Sequence, residues 1–290
     1  MVANKVALVG FGEAARAFAE GWGVMRPSNL SVSDLRHDEE IHAAARSCGA
    51  RFTTNKAEAL AGAQVVFCLV TADQALEAAE QSAPFLSPGT LWFDGNSCAP
   101  DTKRRAGTVI EAAGGAYVDM AIMSPVHPKK HRVPILLSGP HSLAAQKILE
   151  ELGMSGTVMG LEIGRASTIK MLRSVMIKGL EALSAECFLA ARAAGVEVEV
   201  LATLQASDPG FNWAARGAYN LERMIVHGGR RAAEMNEVAN TVADLGLSPD
   251  MSRATQEWQA RIAALKLNPG EDNLGERADR ILAGLIRFGS

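Results

Sequence analysis

Between residues 5 and 160, short apolar runs alternate with longer stretches rich in Ala and Glu. The runs Lys5–Gly10, Leu30–Asp34, Gln64–Val70, Thr90–Asp94, Tyr117–Ile122, Val133–Ser138 and Thr157–Gly160 have the length and continuous apolar character of strands buried on both faces. Glu13–Trp22, Asp38–Cys48, Ala72–Ala83 and Ser142–Leu152 lie between them and read as helices. Strand and helix in repeated alternation predict an α/β domain, a doubly wound and mainly parallel sheet with helices on both faces. Beyond Gly164 the pattern changes. Residues 166–194 form one helix-like segment without Pro, interrupted only by Gly179. The remainder reads as helices punctuated by Asp208-Pro209-Gly210, Gly228-Gly229, Ser248-Pro249 and Asn268-Pro269-Gly270. The predicted organisation is an α/β domain over residues 1–163 and an all-helical domain over 164–290 that begins with a long connecting helix.

Composition narrows the function classes. Apolar residues make up 48% of the 290 positions, charged residues 21%, and the formal net charge is −3. No broad basic field is available for a nucleic acid, and no polybasic tail suggests a membrane surface. The longest apolar stretches are too short to span a bilayer, and the N-terminus lacks the apolar region of a secretory signal. Cys48, Cys68, Cys98 and Cys187 form no CxxC pair and have no His at metal-ligand spacing, so no metal site is predicted. Cys68 reads as a small core hydrophobe and Cys98 as an exposed loop residue; reduced thiols suit a cytoplasmic protein.

The first strand runs into Gly10-Phe11-Gly12-Glu13-Ala14-Ala15, a G-x-G-x-x-A turn, and then into a helix. Gly10 permits the tight turn, Gly12 lets the backbone approach a pyrophosphate, and Ala15 allows close helix–strand packing. The helix N-terminus then presents N–H groups and a positive dipole end to the phosphates. The second strand ends at Asp34, where a carboxylate accepts from the adenosine ribose hydroxyls and repels a 2′-phosphate. The unit reads as a Rossmann dinucleotide-binding domain for NAD, with Gly10, Phe11, Gly12, Ala14, Ala15 and Asp34 at the cofactor. Arg36 offers the alternative, a seat for the 2′-phosphate of NADP.

The second constellation is Gly164-Arg165-Ala166-Ser167-Thr168-Ile169-Lys170-Met171-Leu172-Arg173-Ser174. Lys170 lies in the second turn of the long segment, just past the expected boundary, where it can face a cleft between domains. Ser174 and Lys178 share its helical face, with Arg173 alongside. Repelling cations, partly desolvated, would lower the lysine pKa toward working pH. A lysine so tuned can take the proton of a substrate hydroxyl while hydride leaves for a nicotinamide.

In this order the motifs resemble the β-hydroxyacid dehydrogenase family, which includes 3-hydroxyisobutyrate and 6-phosphogluconate dehydrogenases. Four blocks carry the resemblance: the Gly10–Ala15 turn, Leu69-Val70-Thr71-Ala72, Asp94-Gly95-Asn96-Ser97, and the lysine segment after Gly164. The resemblance implies that Lys170 is the general acid/base. It places Val70 and Thr71 along the nicotinamide half, and Asn96 between cofactor and substrate with Ser97 on the substrate side. Met123-Ser124-Pro125 stands where the family has a Ser-Gly-Gly loop that holds a carboxylate, and Ser174 stands where it has an asparagine. Met123 then suits a bulkier or aromatic substrate, and Arg173 supplies an anion contact. The last stretch, His227 to Val238, resembles a branch whose helical domain is phosphogluconate-dehydrogenase-like. In phosphogluconate enzymes a partner subunit's His and Arg enter the site, which directs attention to His227 and Arg230.

The leading expectation is an NAD(P)-dependent oxidoreductase acting on a β-hydroxy acid or a related alcohol, aromatic alcohols included. An imine reductase shares the architecture, but such enzymes generally lack this lysine. A catalytically silent dinucleotide-binding regulator is the third reading, and retention of both the glycine turn and Lys170 weighs against it. The expected partners are a small-molecule substrate and a second copy of the chain, because the long helix carries an apolar stripe (Met171, Val175, Leu180, Leu183, Phe188) in need of cover. The basic run Pro128-Lys129-Lys130-His131-Arg132 reads as a solvated turn, with reception of an anion as its alternative.

Overall fold

The computed structural model describes residues 5–288. They divide into two compact units, the first ending at Met171 and the second starting at Leu172. Among these residues the first unit holds an eight-stranded sheet: β1 (Lys5–Val9), β2 (Asn29–Ser33), β3 (Arg51–Phe52), β4 (Val65–Cys68), β5 (Leu91–Asp94), β6 (Ala116–Ile122), β7 (Pro134–Ser138) and β8 (Ser155–Val158). The strand order is β3-β2-β1-β4-β5-β6-β7-β8, parallel at every pairing except β6–β7, where Asp119 stands opposite Ser138. Alternation along the central strands builds two apolar layers. Val6, Leu8, Phe67 and Phe93 join Phe18 and Trp22 on one face; Ala7, Val9, Val66, Trp92 and Tyr117 pack on the other. A strand apolar at successive positions is therefore the signature of a sheet covered on both sides.

The covering helices are α1 (Glu13–Trp22), α2 (Glu39–Ser47), α3 (Lys56–Leu60), α4 (Ala75–Ser82), α5 (Pro100–Ala112) and α6 (Ser142–Glu151). Their starts follow local chemistry. The Asp38 carboxylate accepts the Ile41 N–H at 3.0 Å at the head of α2, a cap worth about 1 kcal/mol. Pro100, whose fixed φ suits the first helical position, opens α5. β1 leads away to β2 on one side while β4 leads to β5 on the other. That reversal opens a crevice at the carboxyl ends of β1 and β4, where such sheets bind ligands.

α7 (Arg165–Ala193) follows, and its first two turns belong to the first unit, with Ala166 and Met171 buried there. α8 (Glu197–Ser207), α9 (Trp213–Asp244), α10 (Asp250–Ala264) and α11 (Leu274–Phe288) complete the chain, so every regular element described beyond Leu172 is helical. The second unit closes around Phe188, Leu221, Met224, Ile262, Leu274 and Ile281. Among the described residues no helix is long and apolar enough to cross a membrane.

Several expectations need correction. β3 was not anticipated: two residues, Arg51 and Phe52, carry too little pattern to announce a strand. β8 begins two residues before the expected Thr157, because Gly153 (φ 67°) turns the chain early and Ser155 pairs with Pro134. Gly228-Gly229 does not break a helix; α9 runs straight through it. A Cβ on Gly228 would stand 2.6 Å from the Gln259 carbonyl oxygen of α10, so this glycine lets two helices approach rather than turning the chain. Cys98 is buried, not exposed. The basic run is not a solvated turn throughout. Lys130 pairs with Glu20 of α1 at 3.1 Å, and the His131 ring is buried over Gly21, its pKa lowered by burial and by Arg132 and Lys130. In the α7 stripe, Met171 and Phe188 are buried within the chain, whereas Leu183 is exposed.

Candidate functional site

The glycine turn is constructed for a close approach. Gly10 has φ 86°, and a Cβ there would lie 2.6 Å from the Leu69 carbonyl oxygen, so only glycine fits. Gly12 is different: its φ of −78° is ordinary, and a Cβ would meet nothing within 4 Å. The space beside Gly12 is open, and no side chain caps the first turn of α1. An open cradle next to uncapped helix N–H groups is what a pyrophosphate requires, and the residues fit the dinucleotide. Ala15 is fully buried between helix and sheet. The Phe11 side chain is also buried, in the core, so at the turn it contributes backbone only. Its N–H donates to Asp34 Oδ2 at 2.6 Å, and Asp34 Oδ1 accepts the Arg36 N–H at 2.8 Å. The Asp34 carboxylate thereby ties the end of β2 to the glycine turn, with the exposed Arg36 guanidinium 3.9 Å away.

The loops after β4 and β5 are joined by one side chain. Asn96 accepts the Val70 N–H through Oδ1 at 2.7 Å and donates from Nδ2 to Asp94 Oδ1 at 2.7 Å and to Cys68 Sγ at 3.3 Å. At 3% exposure it holds loops in place rather than offering a donor to solvent. The outward-facing member of this loop is Ser97. Its Oγ accepts from Lys170 Nζ at 2.6 Å, and both residues are half-buried. An ammonium and a hydroxyl therefore share one accessible position, the equipment needed to pass a proton.

Behind them lies a buried charged network. Lys103 on α5 is completely buried, and its Nζ donates to the Asp94 backbone oxygen at 2.6 Å and to Asp94 Oδ1 at 2.9 Å, with Asp119 Oδ1 3.6 Å away. Tyr117 donates its hydroxyl to Asp94 Oδ2 at 2.8 Å; burial, then the Asp94 charge, holds that phenol well above its usual pKa. Asp119 accepts from Ser138 Oγ at 2.9 Å, the Ser167 N–H at 3.0 Å and Ser167 Oγ at 2.5 Å. It thus caps the helix that carries Lys170. Sequence reading missed Lys103, although one signal was available. Pro100, Lys103, Ala106, Gly107 and Ile110 form the buried face of α5, and a lysine on an apolar helical stripe needs a partner.

Met123 and Ser124 are half-buried after β6, and Thr71 precedes the turn that leads into α4. Arg173 is exposed in the second unit. Ser174 does not stand ready for a ligand there: its Oγ accepts from Lys178 at 3.2 Å, and Lys178 pairs with Glu234 at 2.9 Å. Arg230 bonds the same Glu234 at 2.7 Å, one helical turn along α9. His227 lies in the middle of α9.

A doubly wound sheet with a glycine turn at its reversal point, followed by a helical unit, defines a dinucleotide-binding protein of Rossmann type. Residues 5–160 match the family described as the NAD binding domain of 6-phosphogluconate dehydrogenase, and residues 191–262 match a domain of unknown function (DUF1932). A conserved hypothetical protein from Sinorhizobium meliloti 1021 is 34% identical, with 98% of this chain and 97% of that one covered, at a TM-score of 0.76. The conserved protein MTH1747, of unknown function and structurally similar to 3-hydroxyacid dehydrogenases, is 30% identical over 90% of this chain and 98% of its own, at a TM-score of 0.68. A 3-hydroxyisobutyrate dehydrogenase of Mycobacterium tuberculosis, solved with L-serine, shares the fold at a TM-score of 0.74 and 16% identity, covering 98% and 99% of the two chains. The chain belongs to the β-hydroxyacid dehydrogenase superfamily, with that superfamily's NAD-binding domain in front and a helical C-terminal domain behind.

Proposed function

We propose that the protein is an NAD-dependent dehydrogenase of a β-hydroxy acid or a related alcohol, with Lys170 as its general acid/base. The observation that carries this reading is the half-buried Lys170 Nζ to Ser97 Oγ hydrogen bond of 2.6 Å. In alcohol oxidation Lys170 would take the hydroxyl proton as its neutral amine, and in the reverse direction give it back as the ammonium. Ser97 orients the lysine nitrogen and offers the substrate oxygen a second hydrogen bond. Bound nicotinamide supplies the hydride acceptor or donor. Gly10, Phe11, Gly12 and Ala14 would hold its pyrophosphate through the backbone of the turn, with Ala15 packing the helix behind them, and Val70, Thr71 and Asn96 would line the nicotinamide half. Met123 and Ser124 stand in place of the small carboxylate loop of relatives, which supports a bulky substrate; Arg173 is the residue of the second unit that the family resemblance offers for an anionic group.

NAD is assigned over NADP because Asp34 closes β2 with a carboxylate that a 2′-phosphate would have to face. The test is a hydride-transfer panel of 3-hydroxy acids, β-hydroxy amino acids, aryl alcohols and cyclic imines, run with each cofactor. Turnover of a hydroxy compound with NAD is expected. Exclusive turnover of imines, or a clear preference for NADP, would overturn the substrate class or the role of Asp34 respectively.

The chain is also proposed to work as a homodimer. On α7, Leu172, Met176 and Leu183 are 40%, 63% and 58% exposed at spacings that place them on one helical face. Sedimentation at micromolar concentration should give a dimer, and Met176→Lys with Leu183→Glu should yield monomer. A wild-type monomer would refute the assignment.

A further inference from the structure

Lys103 plays no part in the chemistry assigned to Lys170 and Ser97, yet it is the most deeply buried cation of the first unit, with no exposed surface. Two carboxylates converge on it, and each goes on to a different element. Asp94 Oδ1 also accepts the Asn96 N–H at 3.1 Å and Asn96 Nδ2 at 2.7 Å, fixing the loop that ends in Ser97. Asp119 takes the N–H and hydroxyl of Ser167, the residue one turn before Lys170. Ser138 closes the second arm, donating to Asp119 and accepting the Ala166 N–H at 3.0 Å. The Asp119 charge lies at the positive end of the α7 dipole, so the excess carboxylate is compensated by the helix itself. Burial opposes the Lys103 charge, but Asp94, with Cys98 and Asp119, holds its pKa above the usual lysine value, so it stays an ammonium.

We infer that Lys103 is a positioning residue, one buried cation that sets the Ser97 loop and the Lys170 helix in register with each other. Buried ion pairs add little net stability, because desolvation offsets attraction. Their worth here is geometric: the donors and acceptors allow one arrangement of loop and helix, and that arrangement yields the 2.6 Å contact between Lys170 and Ser97. The consequence for catalysis rests on the acid/base reading of Lys170; the consequence for geometry does not.

Lys103→Gln separates the two. Glutamine keeps an amide donor for Asp94 but removes the charge that draws in Asp119. With a turned-over substrate, kcat should fall about 10- to 100-fold, the cost of misplacing a reacting group by roughly an ångström, while KM for NAD stays unchanged. Independently of turnover, acylation of Lys170 by acetic anhydride, read by mass spectrometry against exposed Lys147, should change several-fold. A changed acylation rate in a protein that turns over no hydroxy compound would uphold the positioning role and sink the acid/base reading. A folded Lys103→Gln protein with unaltered Lys170 acylation would overturn the inference. If that variant does not fold, Ser167→Ala decides: it removes one hydroxyl from the Asp119 arm, and unaltered acylation there overturns the proposal equally.

Discussion

Lys170→Met is expected to lower turnover by about 10²- to 10⁴-fold, the range general acid/base catalysis supplies. Methionine matches the length of the lysine stem and removes only the amine, and the residue is half-buried, so the helix should be undisturbed. The cap on that helix comes from Asp119 through Ser167, not from Lys170, and remains intact. Titration of NAD by intrinsic fluorescence should give an unchanged Kd, since the pyrophosphate is assigned to the Gly10–Ala15 turn and only the proton to the lysine. If the variant turns over a hydroxy acid at near-wild-type rate, the proton must travel through another group. The dinucleotide site would be untouched by that outcome.

The second large effect concerns Gly12. Gly12→Val should weaken NAD by on the order of 100-fold or more, about 2.7 kcal/mol, because the new side chain enters the open space beside the turn. The fold should barely register the change. The backbone at Gly12 is ordinary for an L residue, and the only structural cost is a poorer N-cap, no more than about 1 kcal/mol. Gly10→Ala provides the contrast. With φ 86° and the Leu69 carbonyl oxygen 2.6 Å from the added Cβ, it should destabilise the protein visibly in a thermal melt. Tight NAD binding by Gly12→Val would mean that the pyrophosphate does not sit at this turn.

Much of the first unit was legible because its information is local. The continuous apolar character of β1, β4 and β5 follows from burial on two faces, and the helix boundaries of α1, α2 and α6 follow from composition within a few residues, with a side-chain cap at α2. Gly10 and Gly12 were legible for the same reason: a turn between strand and helix constrains its own residues. The single pair Arg51–Phe52 in β3 has no comparable signal. Gly228 misled because a glycine demanded by a neighbouring helix looks, along the chain, the same as one that ends a helix.

The lysine site divides along this line. The chain alone marks Lys170 as a helical residue six positions past a glycine, and marks Asn96 and Ser97 as neighbours in a loop. Their places are decided by residues far away in sequence: Ser97 meets Lys170 across 73 positions, and Ser167 meets Asp119 across 48. Asn96 turns inward and Ser97 outward because Asp94, Cys68 and Val70 meet the amide of Asn96 in space. Lys103 shows the limit most clearly. Its position on an apolar stripe announces that a partner is required, but only folding brings two carboxylates to it. Local periodicity determined which elements form and where the cofactor turn lies. Charge compensation in a buried, low-dielectric interior is a property of three-dimensional neighbours, and it decided which loop and which helix meet at the Lys170–Ser97 hydrogen bond.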